Sequence, residues 1–153
     1  MANSYSQIYI HLVFAVQERV SLIMPQWQDE LYKYICGTAE THKHHVYAIG
    51  GMKDHVHILL SMSPDQSITD MVRDIKRASA LWINERHFVL GRFSWQKGFG
   101  AFSVSSSQLD NVVKYINNQH EHHHVKTFRE EYIEFLKAYN TDFDEKYIFS
   151  EII

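Results

Sequence analysis

Two short stretches hold the side chains best placed to do chemistry. In "MKDHVHILLS", residues 52 to 61, His55 and His57 stand one residue apart among residues that otherwise favour an apolar setting. In a strand, side chains alternate, so His55, His57 and Leu59 share one face while Val56, Ile58 and Leu60 share the other. Two imidazoles on one face, about 7 Å apart along the backbone, can converge on a single ion. They can equally be hydrogen-bonded core histidines, because each buried ring needs partners for its nitrogens. In "NVVKYINNQHEHHH", residues 111 to 124, Tyr115 and Gln119 are four apart, with His122 near the same line at i+7. On a helix these stack on one side. A phenol, an amide oxygen and an imidazole side by side suit phosphoryl transfer, although a tyrosine there also fits the edge of a core.

The surrounding elements must position these groups. Residues 8 to 16, IYIHLVFAV, are β-branched and aromatic without a breaker and read as a buried strand. From Pro25, the positions Trp27, Leu31, Tyr34, Ile35 and Ala39 recur at helical spacing. HVYAIGG then forms a short strand with a turn at Gly50-Gly51, and HVHILLSM returns antiparallel to it. Ser67 opens a second helix through S-I-T-D, with Ile68, Met71, Val72, Ile75 and Trp82 on its buried side. GFGAFSVS supplies another strand, and S-S-Q-L-D starts a third helix whose core face is Leu109, Val112, Val113 and Ile116. A capping box from Thr127 to Glu130 begins a fourth, with Phe128, Tyr132, Phe135, Leu136 and Tyr139 inward. The order β-α-β-β-α-β followed by helices is that of an α+β, ferredoxin-like split βαβ sandwich. Its first two helices cover one sheet face, and the histidine strand lies centrally. The face bearing the histidines needs a cover, from later in the chain or from another subunit.

Composition bounds the function classes. At 153 residues, 45% hydrophobic and 14% aromatic, the chain is expected to form one domain, residues 1–153, around a sizeable core. No apolar stretch approaches the roughly 20 residues of a membrane span, and MANSYSQ does not resemble a signal peptide, so a cytoplasmic protein without membrane partners is expected. The lone cysteine, Cys36, forms no internal disulfide or finger-type zinc site and reads as a buried apolar residue. A net charge of −3 argues against an all-round polyanion binder. However, residues 73 to 97 carry six basic side chains against two acidic, and residues 130 to 151 carry two against seven. Arg73, Lys76 and Arg77 form a solvent-facing stripe on the second helix and are the candidate contacts to a nucleic-acid backbone, although solvated faces of opposite sign explain the pattern too.

Taken together, Y-I-H-L-V-F, I-G-G-M-K-D-H-V-H-I-L-L, M-V-R-D-I-K-R-A-S-A-L-W-I-N-E, W-Q-K-G-F-G-A-F-S-V-S, and Y-I-N-N-Q-H-E-H-H followed by T-F-R-E-E-Y resemble the single-tyrosine HUH transposases of small bacterial insertion sequences. The resemblance runs in order over about residues 9 to 132. It implies that His55 and His57 are the HUH histidines binding a divalent ion, Gln119 the third protein ligand and Tyr115 the nucleophile. His122 falls where such proteins often carry histidine, and His11 either faces the site or is a structural histidine. Two imidazole nitrogens and an amide oxygen suit octahedral Mg2+ or Mn2+, with Mn2+ the tighter.

The implied reaction is attack by the Tyr115 phenolate on a scissile phosphate, giving a 5′-phosphotyrosine and a free 3′-OH that can reverse the step. The implied partners are single-stranded DNA with hairpin ends and a second copy of the chain, with the tyrosine helix either folding over its own sheet or exchanged between the two subunits, and no small-molecule organic cofactor. Alternatives are a domesticated relative processing chromosomal palindromic repeats, a plasmid replication initiator or relaxase with the same core, and a non-catalytic ferredoxin-like binder of single-stranded DNA. A metal-sequestering tract at His120, His122, His123 and His124 is the remaining one.

Overall fold

The computed structural model describes residues 5–119 and 127–138. Four strands, β1 (Tyr9–Ala15), β2 (His45–Met52), β3 (His55–Ser61) and β4 (Gly100–Val104), form one antiparallel sheet in the order β2-β3-β1-β4. Helix α1 (Pro25–Thr41) links β1 to β2, and α2 (Ile68–Arg86) links β3 to β4. Each crossover leaves one strand between the pair it joins, which is the split βαβ arrangement expected. Two further helices, α3 (Leu109–Asn117) and α4 (Phe128–Ala138), follow β4.

The alternation along β3 sorts its side chains as expected. Val56, Ile58 and Leu60 join Leu12 and Phe14 of β1 in a core closed by Trp27, Leu31 and Ile35 of α1 and Met71, Val72 and Ile75 of α2. On the opposite face, Leu59 packs with Ala48, Val104 and Ile116 of α3, while Val13, Ala15 and Phe102 pack with Tyr132 and Leu136 of α4. The cover thus comes from later in the same chain, and β3 is buried from His55 to Leu60. Caps set where the helices begin. The Ser67 side chain accepts from the Asp70 N–H at 3.1 Å, and the Thr127 hydroxyl accepts from the Glu130 N–H at 3.2 Å while donating to the Glu130 carboxylate. Each such cap contributes about 1 kcal/mol.

Four local expectations are corrected. The β2–β3 turn is Lys53–Asp54, with Met52 opposite His55, and Gly50 and Gly51 lie within β2. The glycines serve close approach instead: a Cβ on Gly50 would stand 2.5 Å from the Ile116 carbonyl oxygen of α3. In α1 the buried tyrosine is Tyr32, and Tyr34 is exposed. Tyr34 stacks on the half-buried Trp82 of α2 at 5.1 Å, so both lie on the rim between the helices, and Ile83 takes the buried position on α2. Cys36 is half-buried, and burial and then Glu40 push its thiol pKa up. His120, His122, His123, His124 and Tyr139 lie outside the described residues.

Because the atom facing Gly50 is backbone and cannot rotate aside, Gly50→Ala is expected to lift α3 and to cost about 1–3 kcal/mol in urea unfolding. Gly37→Ala, on α1 with nothing within 4 Å of the added methyl, is the control and should gain up to about 1 kcal/mol.

Candidate active site

The covered sheet face brings together groups from four elements. The tight turn puts Asp54 beside His55, and its carboxylate lies 2.7 Å from His55 Nδ1. A carboxylate can only accept, so this nitrogen carries the proton and donates. In the neutral ring, His55 Nε2 is then a lone pair. It faces Gln119 Oε1 at 3.1 Å, with a Glu131 oxygen at 3.7 Å. The amide orientation is consistent with its surroundings, since Gln119 Nε2 lies 3.4 Å from both the Tyr115 carbonyl and Glu131 Oε2, two acceptors. With a neutral ring, His55 Nε2 and Gln119 Oε1 present electron pairs to each other; with a second ring proton, Nε2 donates to Gln119 Oε1.

His57 is held in a similar way. Its Nδ1 is 2.9 Å from His11 Nε2, and its own Nε2 is 3.2 Å from Glu131 Oε1. His11, His55 and His57 are all at most 1% exposed. Burial, and then the neighbouring His57, lowers the His11 pKa well below the usual histidine range, so His11 is neutral and acts as a hydrogen-bonding neighbour of the pair. By the same rule His57 Nε2 donates to the Glu131 carboxylate when that group is ionised, and His57 Nδ1 then accepts from His11 Nε2; in the other tautomer His57 Nδ1 donates to His11 and its Nε2 lone pair faces the same space as that of His55.

Tyr115 packs its ring edge-on against His57, with centroids 5.8 Å apart. Tyr115 and Gln119 do fall on the same side, although α3 ends at Asn117. The Asn118 N–H closes the last turn onto the Lys114 and Tyr115 carbonyls, and Gln119 follows immediately, 1% exposed. Beside it, a cleft of about 210 Å³ reaches from the β2 edge, lined by Gln28, Tyr32, Gly50 and Gly51.

The donor set fits a divalent cation. An octahedral ion with bonds near 2.1 Å holds neighbouring ligand atoms about 3 Å apart, close to the separations of 3.1 and 3.2 Å seen here. Donor atoms of His55, His57 and Glu131 all lie within 4.8 Å of one another. The buried Glu131 was not singled out in the sequence. Its pKa is pushed up to about 7, chiefly by burial, with His55 opposing and Asp54 and Glu134 adding to the rise. The available signal was its position four residues beyond the Thr127 cap, which turns it toward the sheet. Asp54 was legible only as the residue preceding the pair.

The basic stripe is not brought to this site. α2 lies behind the opposite sheet face, and Arg73 there pairs with Asp70 at 3.0 Å. Arg77 is exposed, but Lys76 does not belong to a solvent-facing stripe: its ammonium donates to the Gln96 and Gly98 carbonyls at 2.8 and 2.6 Å and lies over the Phe14 ring. Burial lowers its pKa to about 8.

A split βαβ sheet carrying a histidine pair beneath a tyrosine helix defines a class of DNA strand-processing proteins, and the comparisons place the chain within it. The model of the IS200-like transposases matches residues 4–119, and the chain belongs to that family, the single-tyrosine HUH transposases, which are DNA-processing enzymes. It is 31% identical over 124 residues to the ISDra2 transposase TnpA of Deinococcus radiodurans, covering 75% of this chain and 86% of that protein. A crystal structure of a Deinococcus radiodurans protein assigned as a transposase superposes with a TM-score of 0.60 at 25% identity, over 76% of this chain and 94% of that one. A REP-associated tyrosine transposase bound to a REP hairpin shares the fold with a TM-score of 0.61 at 16% identity, over 79% of this chain and 72% of that one.

Asp54→Asn removes the acceptor-only group, because an amide serves either tautomer of His55. Mn2+ affinity, measured by titration calorimetry, should fall about 10–100-fold with the far-ultraviolet circular dichroism unchanged.

Proposed function

We propose that this chain cuts and rejoins single-stranded DNA at insertion-sequence ends, with Tyr115 as nucleophile and His55, His57 and Gln119 holding a divalent cation, Mg2+ or Mn2+. The observation that carries this reading is the convergence of donor atoms in one buried place, with His55 and His57 nitrogens within 4.8 Å of each other and His55 Nε2 3.1 Å from Gln119 Oε1, beside a His57 ring packed on Tyr115. When bound, the cation would supply Lewis-acid polarisation of the scissile phosphate.

The remaining work falls to the chain's own groups. Asp54 and His11 would hold the two rings in the tautomers that leave both Nε2 lone pairs for the cation. Tyr115 attacks as the phenolate, and the proton its phenol gives up balances the one gained by the departing 3′ oxygen. A tyrosine Oη–phosphorus bond forms as the bond to the 3′ oxygen breaks, leaving a 5′-phosphotyrosine and a free 3′-OH. Because one phosphoester replaces another, the reverse attack by a 3′-OH rejoins strands without a nucleotide cofactor.

The substrate we infer is a single strand folded into a hairpin, the form of ligand named for the REP-associated relative. The cleft beside Gln119 gives room for a nucleotide flanking the phosphate. Arg73 and Arg77 would meet DNA that passes behind the sheet, and Lys76, committed to two carbonyls, would not. We further infer a cytoplasmic homodimer of single-domain chains needing no organic cofactor. Among the described residues, no helix is long and apolar enough to cross a membrane.

The test is covalent trapping on labelled single-stranded DNA spanning the ends of the element, with Mn2+ or Mg2+. A denaturant-resistant adduct should form on one strand only, require the metal and be absent in Tyr115→Phe. An adduct that persists in Tyr115→Phe would move the nucleophile elsewhere, and strong DNA binding with no adduct under either metal would favour a non-catalytic binder.

A further inference from the structure

The site holds one group that the three-ligand reading leaves unused. Glu131 of α4 is 4% exposed, and its Oε1 stands 3.2 Å from His57 Nε2 and 3.7 Å from His55 Nε2, while Oε2 lies 3.4 Å from the Gln119 amide nitrogen. One carboxylate oxygen is thus directed at both imidazole nitrogens that would bind a cation. The other oxygen steadies the amide whose carbonyl is the third donor.

We propose that Glu131 is a fourth protein ligand of the cation, so that metal binding ties α4 to β3 and to the end of α3. This rests on the reading of His55, His57 and Gln119 as ligands and extends it. Three considerations support the assignment. The 3.2 Å separation matches the roughly 3 Å between neighbouring ligand atoms of a six-coordinate ion. Two imidazoles and an amide are all neutral, so a carboxylate supplies the only negative charge in the set and offsets half the charge of a divalent ion brought into a buried place. A buried carboxylate without a cation is costly, and Glu131 is buried among the proposed ligands. Four protein donors leave two positions of an octahedron open, enough for one phosphate oxygen and one water or reacting oxygen. Two nitrogen and two oxygen donors also favour Mn2+ over Mg2+.

The rival role is that of a placeholder: Glu131 would fill the phosphate's position and withdraw when DNA arrives. The two roles differ in sign. A ligand strengthens metal binding, whereas a placeholder competes with nothing in the metal's own set and its loss leaves the ion bound as before or more tightly.

The experiment uses the full chain without DNA and Mn2+ alone as the probe, with affinity read by calorimetry and by the electron paramagnetic resonance of free Mn2+. Wild type should bind one ion, His57→Ala should lose it, and Glu131→Gln should bind at least about tenfold more weakly. Glu131→Asp, which withdraws the oxygen by one methylene and keeps the charge, should also weaken binding and serves if the glutamine variant does not fold. Thermal melts separate a ligand from a structural residue. Without metal, Glu131→Gln should melt close to the wild-type temperature, and the rise that Mn2+ gives wild type should shrink. Equal or tighter Mn2+ binding by the Glu131 variants, with wild-type and His57→Ala behaving as stated, would overturn the fourth ligand and leave the three-ligand reading standing. No binding of Mn2+ by wild type would overturn both.

Discussion

The structure turns on the contact between His55 Nε2 and Gln119 Oε1. Asp54 fixes the proton of His55 on Nδ1, and that leaves Nε2 facing Gln119 Oε1 at 3.1 Å. Two acceptors at hydrogen-bond distance repel each other unless a positive species lies between them or the ring gains a second proton. An imidazolium would satisfy the contact in the protein alone, and a divalent cation satisfies it for both histidines together. Much of the surrounding construction can be read as holding these donors in place. The His11–His57 contact, the burial of both rings and the packing of Tyr115 on His57 each remove a freedom that would let the groups relax apart.

The fold supports this by closing both faces of a four-stranded sheet. A bare ferredoxin-like sheet would leave the histidines in water, where their spacing would count for little. α3 and α4 seal that face with Ile116, Tyr132 and Leu136, and they can come close because Gly50 and Gly100 lack side chains where Ile116 and Tyr132 approach. Those same helices carry Tyr115 and Glu131, with Gln119 just beyond α3, so the packing of the cover and the assembly of the site are one event. α1 and α2 close the other face over an aliphatic and aromatic core.

Much of this was legible in the sequence because it depends on periodicity. Alternation along β3 put His55 and His57 on one face, helical spacing put Tyr115 and Gln119 on one side, and Ser67 and Thr127 marked two helix starts by their own side-chain chemistry. What was hidden depends on tertiary distance. Glu131 lies 74 residues from His57 in the chain, and only the docking of α4 joins them. Lys76 has the sequence neighbours of a surface cation, yet the loop at Gln96–Gly98 folds over and its carbonyls accept hydrogen bonds from the ammonium. Gly50-Gly51 looked like a turn because glycine favours turns, but the same missing side chain also admits a neighbouring helix, and here packing determined the outcome. Tyr34 and Tyr32 differ by two positions near the edge of the apolar stripe of α1, where spacing cannot say which ring faces inward.

The measurement that bears most directly on the metal centre is crystallographic. Crystals of the full chain grown with Mn2+ and measured near the manganese absorption edge should show one anomalous peak about 2.2 Å from both His55 Nε2 and His57 Nε2, with Gln119 Oε1 in the same shell. An anomalous map with no peak there, and His55 instead bonded as an imidazolium to Gln119 and Glu131, would contradict a metal centre and make the histidine pair a structural hydrogen-bond network.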